Sequence, residues 1–269
     1  MMLVVYVMAW LSRFPTISPS NAVRAGKDRA LLLILYKVLS EVETSEQAFN
    51  GLCTAVRSAI ARQIDRIELF PQPSESLDSH LKVIEFVEAF VTKSIEGQVA
   101  VLTVGSILSL YFELFEGFEV IIHPVNQSGA SSNEVADIDI KKNDKIFIAV
   151  EVKDKVFTVQ DVDHAAFKAN QYGLKSLTFI IGVHGACVGS SLENVAQTVF
   201  QEQGVNVIFV DLISFLKSLI ALCPSLPFTT FFAKLQDCAT TIRVKDDVLE
   251  HLNRIFILQL SRLGDEQRQ

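Results

Sequence analysis

The chain has 269 residues, 49% of them hydrophobic and 20% charged, with only 12 Gly and 7 Pro. This excludes a disordered chain, a collagen-like repeat and a low-complexity linker, and leaves room for one large domain or two ordinary ones. Lys and Arg number 24 against 31 Asp and Glu, a net charge of −7, which excludes nucleic-acid binding by bulk positive potential. Any such partner has to be held by a local basic patch.

The run Met1–Leu11 is apolar but well short of the ~20 residues that span a bilayer, and no basic residue precedes it as in a signal peptide. Burial is the expectation, with upstream sequence ahead of the true start as the alternative. Cys53, Cys187, Cys223 and Cys238 lie far apart and form no zinc pattern with the five histidines. A reduced, cytoplasmic protein without membrane segments is expected.

From Asn21 to about Leu69 apolar residues recur at helix spacing: Leu31, Leu32, Ile34, Leu35, Val38 and Leu39, then Leu52, Val56, Ile60, Ile64 and Ile67. Pro71–Ser76 reads as a loop and Leu77–Ser94 as a further helix. Residues 1–94 are therefore expected to form a mainly helical region, ahead of a domain over 95–269. In that domain Gln98–Phe115 reads as an apolar helix stopped by Gly117, and Phe118–His123 as a strand. Asn126–Asn133 is a polar loop. Val135–Lys141 and Ile146–Lys153 alternate with period two and predict two strands joined through Lys142–Lys145.

Thr158–Asp161 has the form of a capping box with Asp in the place of Glu, opening a helix that runs to Tyr172 and stops at Gly173. Leu177–Val183 predicts a buried strand, Ser191–Gln203 a helix, Val205–Val210 a strand and Leu212–Leu222 a helix. Beyond Pro224 only Val248–Leu263 reads as helix. The fold class is thus α/β (α+β), with the order αβββαβ at its centre and a mixed sheet.

The chemistry-bearing stretch is Ala136-Asp137-Ile138-Asp139-Ile140 followed by Ala149-Val150-Glu151-Val152-Lys153. Side chains alternate along a strand, so Asp137 and Asp139 share one face, and Glu151 and Lys153 share another. Loop length decides whether these faces coincide. A two-residue turn at Asn143-Asp144 opposes Asp137 to Val150 and splits the carboxylates. A three-residue loop sets Asp137 opposite Glu151, and a five-residue loop sets Asp139 there. Clustered carboxylates without Cys or His suit a hard cation such as Mg²⁺, and a neighbouring lysine can orient water or help deprotonate it. Spacing alone leaves a second reading open, a solvated face on a half-exposed hairpin.

An acid, a gap of twelve to fourteen residues and then Glu151-Val152-Lys153 resembles the PD-(D/E)XK nuclease motif, and the αβββαβ order is that of its core. Residues 126–173 are further similar to type II restriction endonucleases of the SacI type. The resemblance implies Mg²⁺-dependent cleavage of double-stranded DNA by a homodimer, with a cognate DNA methyltransferase encoded nearby. It makes Glu151 a metal ligand and Lys153 the catalytic lysine. Asp139 is preferred as the first acid, because Ala136 replaces the motif's proline before Asp137; Asp137 is the alternative.

Around the motif, His164, Lys168 and Gln171 fall on one helix face and, with Lys155, are candidates for DNA contact; an ordinary helix surface is the other reading. Glu96 is a candidate for the extra acidic ligand that some relatives carry. Glu113 and Glu116 read as helix-end residues, and His184–Ser190 as a plain connection. Between Lys141 and Lys175 seven lysines face five acids. The local patch is therefore basic although the chain is acidic. A structure- or repair-directed nuclease, or a non-catalytic DNA-binding protein, are the alternative functions.

Overall fold

Thr44 is the reason the N-terminal helical pattern breaks in two. Its hydroxyl accepts from the Gln47 amide N–H at 3.1 Å, while Gln47 Oε1 accepts from the Glu43 and Thr44 amides at 2.8 and 3.1 Å. This reciprocal box satisfies the free donors of a helix start. In the computed structural model, which describes residues 27–68, 79–125 and 134–266, α1 spans Lys27–Ser40 and α2 spans Ser45–Glu68. The apolar run Met1–Leu11, the loop Pro71–Ser76 and the loop Asn126–Asn133 lie outside the described residues. The chain divides into two compact units, 1–69 and 70–269.

In the second unit α3 (His80–Phe90), α4 (Gln98–Phe112), β1 (Phe118–Ile122), β2 (Ile138–Lys142), β3 (Lys145–Lys153), β4 (Val156–Thr158) and α5 (Val159–Gln171) follow in order. After them come β5 (Ser176–Ile181), β6 (Ala186–Val188), α6 (Leu192–Gln203), β7 (Asn206–Asp211), α7 (Leu212–Leu222), α8 (Phe228–Thr241) and α9 (Asp246–Glu266). The expected αβββαβ order and mixed sheet are present. Five strands run in the order β1-β2-β3-β5-β7, antiparallel through β3 and parallel from β3 to β7. Two short strands that the sequence did not announce, β4 and β6, form a separate parallel pair.

Strand alternation divides the core. Ile138, Ile140, Val150, Val152 and Ile180 face α3, α4, α7, α8 and α9. Ala149, Leu177, Phe179 and Val207 face α5 and α6. The helix α3, grouped with the N-terminal region on its sequence, buries Val83, Phe86, Val87 and Phe90 in the first of these cores. Apolar on all sides, α4 is buried along nearly its whole length. Its Thr103 and Ser106 hydroxyls donate back to the Val99 and Leu102 carbonyls, which lets two polar residues sit in the interior. Gly105 lies against the Ile122 side chain with no room for a Cβ, so β1 approaches the helix closely.

The sequence left α8 unassigned because it is rich in Thr and Phe and starts after Pro227 without a side-chain cap. Burial overrides that poor propensity. Phe228, Phe231, Phe232, Leu235, Cys238 and Ala239 form one buried stripe, and Phe86, Phe232 and Phe256 pack rings around it. Each buried Phe contributes about 1.5–3 kcal/mol relative to exposure. Among the described residues no helix is long and apolar enough to cross a membrane.

Candidate active site

Turn geometry and a bulge together set the register of the hairpin. Asn143 and Asp144 have φ of 50° and 64° and form a two-residue turn that pairs Lys142 with Lys145. Continued unchanged, that register would oppose Asp137 to Val150. It shifts between Ile140 and Lys141: Lys141 pairs Ile146, while Ile140 pairs Ile148, so Phe147 is the extra residue of a β-bulge. Ile138 then pairs Val150, and one step further Asp137 comes to Glu151. The carboxylates meet through a turn that alone would have parted them. Phe147 packs edge-on against Phe118 at 5.7 Å, and Lys142 Nζ lies 4.9 Å from the Phe118 ring centre.

At the open end of β3, Asp137 Oδ2 accepts from the Val152 amide at 2.9 Å. Burial, reinforced by the Glu151 charge, pushes the Asp137 carboxyl up to about 7, against the pull of Lys153 and Lys168. Lys153 Nζ donates to Glu151 Oε1 at 2.6 Å. Burial works to depress the ammonium, but Glu151, Asp137 and Asp161 outweigh it and hold Lys153 above its ordinary value. Glu151 and Lys153 open onto a cleft of about 210 Å³ whose other lining residues are Gln160, Asp161, His164, Ala165 and Lys168; Asp137, beside Glu151, is not part of that lining.

The helix wall of the cleft is placed by a local device that the sequence did reveal. Thr158 and Asp161 form the capping box of α5, with the Asp161 carboxylate accepting from the Thr158 amide at 2.7 Å. Those bonds hold the Asp161 carboxyl below its ordinary value. Gly173, with φ of 77°, ends the helix. Of the residues expected on this face, His164 and Lys168 line the cleft and Gln171 does not. Lys155 stands exposed beyond the end of β3.

Asp139 lies apart from the Asp137–Glu151 pair. Only 1% exposed, it accepts from the Val135 amide at 3.0 Å, the Ala136 amide at 3.2 Å and His123 Nε2 at 2.8 Å. His123 Nδ1 is 3.5 Å from Glu134 Oε1. Both Asp139 oxygens are thus engaged in holding the bend that leads into Asp137. Nothing in the sequence marked His123 as a partner, because it lies 16 residues away, just past the end of β1.

The remaining candidates are accounted for by local bonds. Glu96 pairs with Lys245, and Glu113 with Lys234. Burial raises the Cys187 thiol, which disfavours a thiolate nucleophile. His184 is the surprise of the stretch expected to be a plain connection: its amide and Nδ1 both donate to Asp154 Oδ1, at 2.9 and 3.2 Å. Among the described residues no group of three or more His, Cys, Asp or Glu is disposed to hold a metal ion. The acids that line the cleft are Glu151 and Asp161, with Asp137 set against Glu151.

Two family models match the chain, the SacI restriction endonuclease N-terminal domain over residues 7–63 and the SacI restriction endonuclease C-terminal domain over residues 74–183. No curated protein matches it. The first match takes in α1 and most of α2. The second takes in the sheet as far as β5, with Asp137, Glu151 and Lys153 inside it. Together they cover more than half of the chain, which belongs to the SacI restriction endonuclease family of type II, site-specific deoxyribonucleases.

Proposed function

We propose that this restriction endonuclease cleaves double-stranded DNA by Mg²⁺-dependent PD-(D/E)XK chemistry, with Asp137 and Glu151 as the metal-binding carboxylates and Lys153 as the catalytic lysine. One arrangement carries the reading: the bulge brings Asp137 to Glu151, whose Oε1 accepts from Lys153 Nζ at 2.6 Å, and burial with the Glu151 charge pushes the Asp137 carboxyl up to about 7. Two crowded carboxylates that one lysine does not neutralise form a site that a divalent cation relieves. The donor set fits Mg²⁺, which is commonly held by one or two carboxylates and keeps waters for the rest. Asp139, preferred on the sequence pattern, is instead assigned the positioning of Asp137, since its own oxygens are engaged elsewhere.

When bound, the cation supplies charge stabilisation at the phosphate and a more acidic water. The chain's own groups do the rest. Lys153 keeps its proton at Nζ and donates it as a hydrogen bond to the attacking water or a phosphate oxygen. Lys168 and His164 offer donors from the opposite wall to the flanking phosphates. A homodimer on a palindromic site gives each strand one such cleft, and a cognate methyltransferase protects the host.

Incubation with several sequence-diverse phage DNAs and Mg²⁺ tests the proposal. Discrete fragments are expected, lost with chelator or with Lys153→Ala. Intact DNA on every substrate, or undiminished cutting by Lys153→Ala, overturns it.

A further inference from the structure

Both central strands break at the same level beside the cleft. β3 ends at Lys153 and resumes as β4 at Val156, while β5 ends at Ile181 and resumes as β6 at Ala186. Before the break Lys153 pairs Ile181, and after it Val156 pairs Ala186, in a separate sheet. Glu151 and Lys153 stand on the near side. Thr158, on the far side, caps α5 and so delivers Gln160, His164 and Lys168. Whatever fixes the break fixes the separation of the two walls.

Asp154 fills that break. Its side chain is 1% exposed, and Oδ1 accepts from both the amide and Nδ1 of His184. Its carbonyl accepts from Ser94 Oγ at 3.0 Å, and the Lys153 carbonyl accepts from the Gly182 amide at 2.9 Å. Gly182 leaves no room for a Cβ against the Asp154 carboxylate, nor Gly185 against the Lys153 carbonyl. Asp154 Oδ2 is buried with no hydrogen-bond partner among the described residues. A bare buried oxygen costs stability, and such costs are retained where a position serves a site.

We propose that Asp154 and His184 are positioning residues, locking the strand break so that the Lys153 wall and the α5 wall are held at the separation cleavage needs. The inference rests on the reading of Lys153 as catalytic. Neither side chain is among those lining the cleft, so their effect falls on turnover rather than on DNA affinity.

The test uses the full chain and a duplex oligonucleotide carrying a cut site mapped on phage DNA. Asp154→Ala and His184→Ala are expected to lower kcat by about 10- to 100-fold, the range for groups that orient a reactive side chain. KM, and duplex binding without added metal, should stay within about twofold. Asp154→Asn keeps an acceptor for His184 and should recover kcat to within about threefold of the parent. His184 is partly exposed, so its variant carries the test if Asp154→Ala fails to fold. Unchanged kcat in folded His184→Ala and Asp154→Ala, or weakened duplex binding with kcat intact, overturns the lock. Full cutting by Lys153→Ala overturns instead the reading beneath it, which keeps the two failures distinct.

Discussion

Asp137 and Asp139 lie two residues apart, one in the bend ahead of β2 and one within it, and their surroundings differ in kind. Asp139 has every oxygen engaged: two backbone amides and the His123 ring converge on it in a site 1% exposed. Asp137 takes a single amide bond, faces the Glu151 charge, and is pushed up to about 7 by burial and that charge. One carboxylate holds the chain, and the other stands against the Glu151 charge beside the cleft. Two residues of spacing thus separate a carboxylate whose oxygens are all engaged from the one proposed to bind the metal.

Asparagine at each position is the sharpest way to break that comparison. Asp137→Asn should lower the cleavage rate by about 10²–10³-fold, in the range for losing a charge that acts at the reacting phosphate. Its melting temperature should hold or rise, because a crowded buried carboxyl has been removed. Cutting at the parent rate would remove Asp137 from the site.

A pH series in metal-free buffer separates the two carboxyls next. With the folded value raised from 3.8 to about 7, native Asp137 binds more protons than the unfolded chain across that window. Its contribution to stability is present in full below about 4 and is lost as pH rises through about 7. The parent's melting temperature should therefore fall between about pH 5 and pH 8 relative to Asp137→Asn, whose curve lacks this component. Parallel curves for the two proteins would mean that the carboxyl is not held protonated.

Asp139→Asn should act the opposite way. The amide nitrogen that replaces one oxygen points at donors, at the Val135 amide and His123 or at the Ala136 amide, so a buried hydrogen bond is broken whichever way it turns. Chemical denaturation is expected to show a loss of about 1–3 kcal/mol. Unchanged stability would show that the nest is not what holds the bend ahead of Asp137.

Much of this was legible in the residues. The αβββαβ order, the Thr158–Asp161 capping box, the α5 face carrying His164 and Lys168, and the Glu151-Val152-Lys153 end of β3 all follow from local periodicity and capping, which depend on neighbours in sequence. What could not be read depends on partners distant in the chain. His123 reaches Asp139 across 16 residues, and His184 reaches Asp154 across 30. The helix α8 forms because its phenylalanines are buried together, against the preferences of its threonines. The motif's spacing admits both Asp137 and Asp139, and the convergent amides on Asp139, which the spacing does not announce, are what supports placing Asp137 in the proposed site.

The smallest expected effect concerns the bulge that brings Asp137 to Glu151. The turn at Asn143-Asp144 fixes Lys142 against Lys145, and Phe147 is the one residue on β3 without a place in the pairing. Deleting Phe147 should leave a regular hairpin in which Ile140 still pairs Ile148, so that Asp137 still meets Glu151. The deletion variant should therefore keep cutting DNA, and should lose about 1 kcal/mol from the missing Phe118 ring contact. Deleting Ile148 instead reaches the same length but puts the exposed Phe147 in place of a residue packed against the core. If the Phe147 deletion is inactive while folded, the bulge contributes more than register: the local twist it adds to β3 then matters for the direction in which Lys153 leaves the strand.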